Sequence, residues 1–175
     1  MYHVTLDIET LGTAPGAAIV QVAAVLFNRH GTIINEVQYC VREESWSGYN
    51  MDPATVSWWM TQPDEAREAV FGGDDRDKDT LRSALTGLGY WFASMKTVYG
   101  ELPIWSHASF DMPILQAAYR QEGMAFPLNH RMFRDIRTLT HLTGVQKTKV
   151  EGIAHTALDD CRNQAKYISK ALEAL

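Results

Sequence analysis

Only two cysteines, Cys40 and Cys161, occur in 175 residues. No Cys-x-x-Cys pair or Cys/His cluster accompanies them, which excludes a zinc finger and a disulfide framework. No run approaches the ~20 apolar residues that cross a bilayer. The opening residues MYHVTLDIET lack the basic start and apolar stretch of a secretory leader. The expectation is a reduced, cytoplasmic protein. Positive charge is scarce too: 16 Lys and Arg stand against 21 Asp and Glu, a net charge of −5. Wrapping long duplex nucleic acid calls for a basic face, so that role is disfavoured. Gripping a chain end is not, because bound cations can bring positive charge locally. Internal repeats and low-complexity tracts are also missing. The composition that remains is ordinary for a globular protein, 46% apolar and 21% charged, over a length that points to one domain, 1–175.

Tyr2 to Glu9 sets Val4, Leu6 and Ile8 against Thr5, Asp7 and Glu9, the period of a strand. Ile19 to Phe27 is almost continuously apolar, as a buried strand is. Ile33 to Val41 follows the turn residues Asn28 to Gly31 closely enough for an antiparallel hairpin. The segment 43–100 reads as mostly helical. It holds Pro53 to Met60 capped by Asp52, Pro63 to Phe71, a polar loop Gly72 to Asp79, and a long helix capped by Asp79 or Thr80. In the long helix Leu81, Leu85, Leu88, Phe92 and Met95 form one stripe. Leu102 to Ser106 reads as a short strand, Phe110 to Glu122 as a helix stopped by Gly123, and Asp135 to Leu142 as a helix closed by Gly144. Leu158, Cys161, Ala165, Ile168 and Leu172 trace the apolar stripe of a C-terminal helix. Such an order predicts an α/β protein, a mixed sheet flanked by helices.

Asp7 and Glu9, two apart on a strand, leave the same face at its end, where α/β folds favour ligand sites. Alone, such a pair is also what a half-exposed strand shows to water. Asp111 opens a helix, where the dipole favours a carboxylate in any case. In HTALDD, His155 to Asp160, helical geometry sets Asp160 nearer the packing stripe than Asp159. A carboxylate aimed at a sheet is costly unless paired or metal-bound; the other reading is a capping pair.

Together these segments are more specific than any one of them. DIET (Asp7 to Thr10), SFD (Ser109 to Asp111) and HTALDD, in that order, resemble the DEDDh exonuclease family, the DnaQ-like group. The resemblance implies an RNase H-like mixed five-stranded sheet with 43–100 as a helical flank. DIETLGTAPGAAIVQVAAVLF, Thr55 to Arg67 and HTALDDCRNQAKY are similar to the small branch with phage exonuclease DexA, the C-terminal region of exonuclease VIII and mycobacterial RNase AS. What the family implies is a 3′→5′ exonuclease releasing nucleoside 5′-monophosphates. Asp7, Glu9, Asp111 and Asp160 would hold two Mg²⁺ or Mn²⁺ ions, with Asp7 shared, and His155 would be the general base. Oxygen-rich ligation suits these ions, and a pair of them can clamp attacking and leaving oxygens.

Family resemblance maps contacts to the terminal nucleotide onto Thr10, Leu11 and Gly12, with Leu11 as a wedge. Phe110 either stacks on a base or fills core. Of the adjacent Trp58 and Trp59, one is expected in the core and the other, Trp59, in the cleft. His107 reads as structural, and His130, Arg131, Arg134, Arg137, Lys147 and Lys149 read more readily as solvated charge than as phosphate ligands. The partner that the resemblance implies is single-stranded RNA or DNA with a free 3′ end. Many relatives are homodimers, and Trp46, Tyr49 and Trp58 are the candidates for such an interface. An RNase H-like endonuclease and a non-catalytic binding module are the rival readings.

Overall fold

The computed structural model describes residues 1–147 and 151–175. Five strands form one sheet: β1 (Tyr2–Thr10), β2 (Ile19–Asn28), β3 (Ile33–Cys40), β4 (Ile104–Ser106) and β5 (Phe133–Asp135). Their order is β3-β2-β1-β4-β5. The β1–β2 and β2–β3 pairs are antiparallel, and the β1–β4 and β4–β5 pairs are parallel. Among the described residues six α-helices accompany them: α1 (Pro53–Met60), α2 (Asp64–Phe71), α3 (Leu81–Tyr99), α4 (Asp111–Gln121), α5 (Ile136–Thr143) and α6 (Ala157–Glu173). The α/β class and the flanked mixed sheet agree with the expectation. No helix among the described residues is long and apolar enough to cross a membrane.

Alternation in β1 decides what covers each face. Val4, Leu6 and Ile8 join Val22, Ala24 and Leu26 of β2 beneath α3 and α4, in a core with Leu85, Leu88 and Leu115. The other face is not water-facing, although Thr5 and Asp7 are polar. There α6 lies on the sheet, Cys161 packs with Ala23 and Val25, and Ile168 packs with Phe27. Burying a side chain such as Ile168 contributes roughly 1.5–3 kcal/mol. The polar side of β1 is thus enclosed, and its carboxylates lie between a sheet and a helix.

The helix boundaries follow their caps. Asp52 accepts from the Ala54 amide, Thr80 from Ser83, and Asp135 from Thr138. The fifth strand has no periodicity of its own: its three residues, Phe133–Asp135, pair in parallel with β4, too few to show a pattern. The loop 72–79 contains a single 3₁₀ turn, Asp75–Asp77. Trp46 packs edge-on against Phe71, and the Tyr49 hydroxyl donates to Glu122 at 2.9 Å. Two of the three aromatics expected at a dimer interface are therefore held within the chain.

Candidate active site

β1 and α6 bring the acidic groups together. Asp7 and Glu9 project toward α6 from the end of β1, Asp160 points back from the first turn of α6, and Asp111 enters from the start of α4. All four line one cleft of about 590 Å³. Donor atoms of Asp7, Glu9 and Asp160 lie within 4.8 Å of one another, and so do those of Asp7, Asp111 and His107. Asp7 belongs to both groups. Asp159, next in sequence to Asp160, instead pairs with Arg162 at 2.9 Å and accepts from the Ile153 amide at 3.0 Å. Of the two neighbours, then, it is Asp160 that faces the sheet.

Carboxylates so placed resist ionisation. Asp7, 7% exposed, is pushed well above the usual carboxylate range by burial, then by the charges of Asp111, Glu9 and Asp160. Burial, then Asp160 and Asp111, raise Glu9 to about 8. Asp111, 1% exposed, is raised to about 7 by burial, against backbone hydrogen bonds from His107 and Ile8. Burial raises Asp160 as well. A set of oxygen donors whose charges repel is relieved by a hard divalent cation, so the side chains fit metal binding.

His107 is a finding of the structure. Its backbone amide donates to Asp111 Oδ2 at 2.7 Å, and its ring Nδ1 lies 4.0 Å from the same oxygen. Burial, then Arg137 and Lys147, lower its pKa to about 4. The ring is therefore neutral near pH 7, and the contact is not an ion pair but a neutral nitrogen beside a carboxylate. The four-residue spacing to Asp111 was the one signal for it in the sequence.

His155 sits in the loop before α6 with φ +63°, a left-handed backbone that costs roughly 1–2 kcal/mol for a residue with a Cβ. Surrounding bonds hold the loop there. Thr156 Oγ1 donates to the Ile153 carbonyl at 2.9 Å, and the Ala157 amide donates to Gln21 Oε1 at 3.2 Å. Gln21 Nε2 in turn donates to the Ala69 carbonyl at 2.9 Å, fastening this end of α6 to α2. The imidazole stands edge-on to Trp58, with ring centroids 5.0 Å apart and planes at 83°.

Thr10 and Phe110 line the cleft, and Phe110 also packs against the main core. Leu11 and Gly12 do not line the cleft. Leu11 is 5% exposed, packed with Ala18, Val20, Trp59 and Val70, so it cannot wedge against a base. Gly12 turns toward Ala17. Both tryptophans line the cleft, Trp59 as expected of it, and Trp58 is not the core residue of the pair. Trp59 is 2% exposed, and its indole Nε1 donates to the Thr10 carbonyl at 2.9 Å. Trp58, 42% exposed, presents its ring. Consecutive helical residues point about 100° apart, and α1 has apolar residues on every side, so its sequence does not mark the buried side. Thr13, Asp52, Thr55, Arg137 and Lys147 complete the lining. Arg131 and Arg134 stay outside it, as does His130. The Arg134 guanidinium donates to the Arg131 and Phe133 carbonyls at 2.8 Å. Lys149 lies outside the described residues.

A buried relay fixes Asp7. Thr5 Oγ1 donates to Gln164 Oε1, and Gln164 Nε2 donates to Asp7 Oδ1 at 2.8 Å. The Thr5 bond sets the amide orientation, so one oxygen of Asp7 is held and the other is left for a ligand. Gln164→Met keeps the volume and removes the donor. It is expected to weaken the Mn²⁺ midpoint in a thermal-shift titration by about 10–100-fold while the protein stays folded. An unchanged midpoint would show that the relay is structural only.

A family model described as the 3′-5′ exoribonuclease Rv2179c-like domain matches residues 2–172. No curated protein matches the chain. Several solved structures share its fold. The zinc-bound complex of E. coli exonuclease I with single-stranded DNA matches with TM-score 0.62 at 15% identity, over 97% of this chain and 40% of that one. E. coli exonuclease I with a 5cy-dA13 oligonucleotide gives 0.60 and 14%, over 97% and 40%. The Mg²⁺- and Mn²⁺-bound form of S. pombe Pop2p gives 0.59 and 11%, over 95% and 81%. The chain thus spans about two fifths of the length of exonuclease I. At these identities the likeness is one of fold, a sheet flanked by helices as in RNase H-like exonucleases. The chain belongs to the 3′-5′ exoribonuclease Rv2179c-like domain family.

Proposed function

We propose that this protein is a metal-dependent 3′→5′ exonuclease of the DEDDh type, removing nucleoside 5′-monophosphates from the 3′ end of a single strand. The observation that carries the proposal is the convergence of Asp7, Glu9, Asp111 and Asp160 in one cleft with His155 at its edge. RNA is the first substrate to test, since the matching family is one of exoribonucleases. DNA is the second, since exonuclease I binds single-stranded DNA. The small branch with DexA and RNase AS remains our assignment within the family. The whole of 1–175 is taken as one exonuclease domain in which the flank 43–100 contributes the α1 wall.

Asp7 would be the shared ligand of two ions, with Glu9 and Asp160 on one side and Asp111 on the other. Bound divalent metal, Mg²⁺ or Mn²⁺, would neutralise the phosphodiester and make a water acidic enough to lose a proton. His155 would take that proton on an imidazole nitrogen. Trp58, edge-on to this ring, limits its rotation and offers an open face to the terminal base, where stacking is worth ~1–3 kcal/mol. Thr10 lies between these two functions, its carbonyl held by Trp59 and its hydroxyl donating to the Gly12 carbonyl at 2.7 Å. Two unpaired thiols, Cys40 and Cys161, suit a reducing, cytoplasmic setting.

A time course on 5′-labelled single-stranded RNA and DNA with Mg²⁺ or Mn²⁺, with released mononucleotides followed in parallel by chromatography, tests the reading. It should show a ladder shortening one nucleotide at a time, with mononucleotides present from the earliest points. Internal fragments without mononucleotides would point to an endonuclease. Neither cleavage nor a metal-linked rise in melting temperature would point to a binding module.

A further inference from the structure

The sheet order gives the cleft two unlike walls. α1, on the β2 side of β1, presents Trp58, Thr55 and Ala54, with no lysine or arginine. On the opposite side, beyond β4 and β5, stand Arg137 near the start of α5 and Lys147 in the loop that follows it. They are the only lysine and arginine that line the cleft among the described residues.

We propose that Arg137 and Lys147 form a subsite for the backbone phosphates upstream of the scissile bond, so that the strand crosses the carboxylates from the Trp58 wall toward α5. The inference rests on the exonuclease reading and gives the substrate a direction within it.

Three observations carry it. First, in a protein with 21 acidic residues, neither cation has an ion-pair partner among the described residues, although seven other lysines and arginines do. The nearest acid in sequence to Arg137 is Asp135. Its carboxylate is already engaged by the Thr138 and Ala108 amides, at 2.8 and 3.1 Å. Second, both cations line the same cleft as Asp7, Glu9, Asp111 and Asp160, and they reach it from α5 and the loop after it, on the β4–β5 side. Third, the chemistry of the walls matches the parts of a strand end. An aromatic and hydroxyl-bearing wall suits a base and sugar. Among the described residues, a polyanion leaving the carboxylates on the other side meets positive charge at Arg137 and Lys147. The competing role is compensation of the carboxylates alone, which would need no substrate.

The test compares wild type with the double variant Arg137→Gln, Lys147→Gln on a single-stranded RNA of about ten nucleotides, across a range of salt. Both side chains are exposed, so the variant should fold. KM is expected to rise roughly tenfold while kcat changes far less. The fall of log(kcat/KM) with log salt should become shallower by about 0.7 for each cation removed. Lys170→Gln, in the remote groove near His30, removes one charge and should leave the slope unchanged. An unaltered KM and slope in the double variant would overturn the subsite. So would an unaltered slope with a weakened Mn²⁺ midpoint, which would assign the pair to charge compensation. Should the wild type prove inactive, the exonuclease reading fails separately. Anisotropy of the same strand, fluorescently labelled, in Ca²⁺ would still decide the subsite: equal affinities of wild type and double variant, with equal salt slopes, would end it.

Discussion

Asp7→Asn is expected to be more stable than wild type without metal and to lose nuclease activity by about a thousandfold or more. Both effects have one cause. Asp7 is buried among Asp111, Glu9 and Asp160, whose charges, after burial, raise its pKa. Two like charges about 5 Å apart repel by roughly 3 kcal/mol at an effective dielectric of 20. The amide is the same size, removes that charge, and still offers an oxygen to Gln164 Nε2. The gain is limited because the cluster already relieves itself by holding protons: Asp111 titrates at about 7 and Glu9 at about 8. An increase of about 1–3 kcal/mol follows, or about 2–10 °C in melting temperature for a domain of this size. The activity loss follows because Asp7 is common to both groups of donor atoms, so no cation position keeps its full set. Calorimetry without metal and a Mn²⁺ thermal-shift titration separate the two effects. An Asn variant that melts below wild type, or that retains the Mn²⁺ shift, contradicts the account.

The same clustering explains which parts of the molecule were legible in the sequence. Asp7, Glu9 and Asp160 sit on elements with strong periods, a strand of period two and a helix with a continuous stripe, so their faces could be computed. Their meeting could not: it depends on α6 crossing the polar side of β1, and nothing local in either segment encodes that. The five-stranded sheet came from the family resemblance, because Phe133–Asp135 is too short to carry a pattern and exists only by pairing with β4. The burial of Leu11 and Trp59 was hidden for a related reason. Both are large apolar residues beside the carboxylates, and only the packing of α1 and α2 against the β1 end shows that they close a small core. His107 reads as structural and Arg137 and Lys147 as solvated charge because their shared feature is a cleft wall assembled from three separate segments.

Without metal, the melting temperature is expected to fall between pH 6.5 and 8.5, and added Mn²⁺ to raise it more at pH 8.5 than at pH 6.5. The carboxylates have folded-state pKa values above their ordinary ones. The folded protein therefore binds more protons than the unfolded chain. Stability from these groups is complete below about pH 4 and is lost as pH rises through the folded values, about 7 for Asp111 and about 8 for Glu9. His3 and His107 work oppositely. Burial lowers each to about 4 from 6.5, so they add stability as pH rises, but that gain is nearly complete by pH 6.5. Above it the carboxylates set the slope, and a drop on the order of 5 °C is expected. A cation competes with those protons, so its stabilisation must grow as they leave. General repulsion in a chain of net charge −5 could mimic the first trend but not its dependence on one residue. Asp7→Asn should flatten the metal-free profile and abolish the pH-dependent Mn²⁺ shift. A wild-type profile that is level across this window, or an equal Mn²⁺ shift at both ends, would mean that the four carboxylates ionise independently and do not form a site built to receive metal.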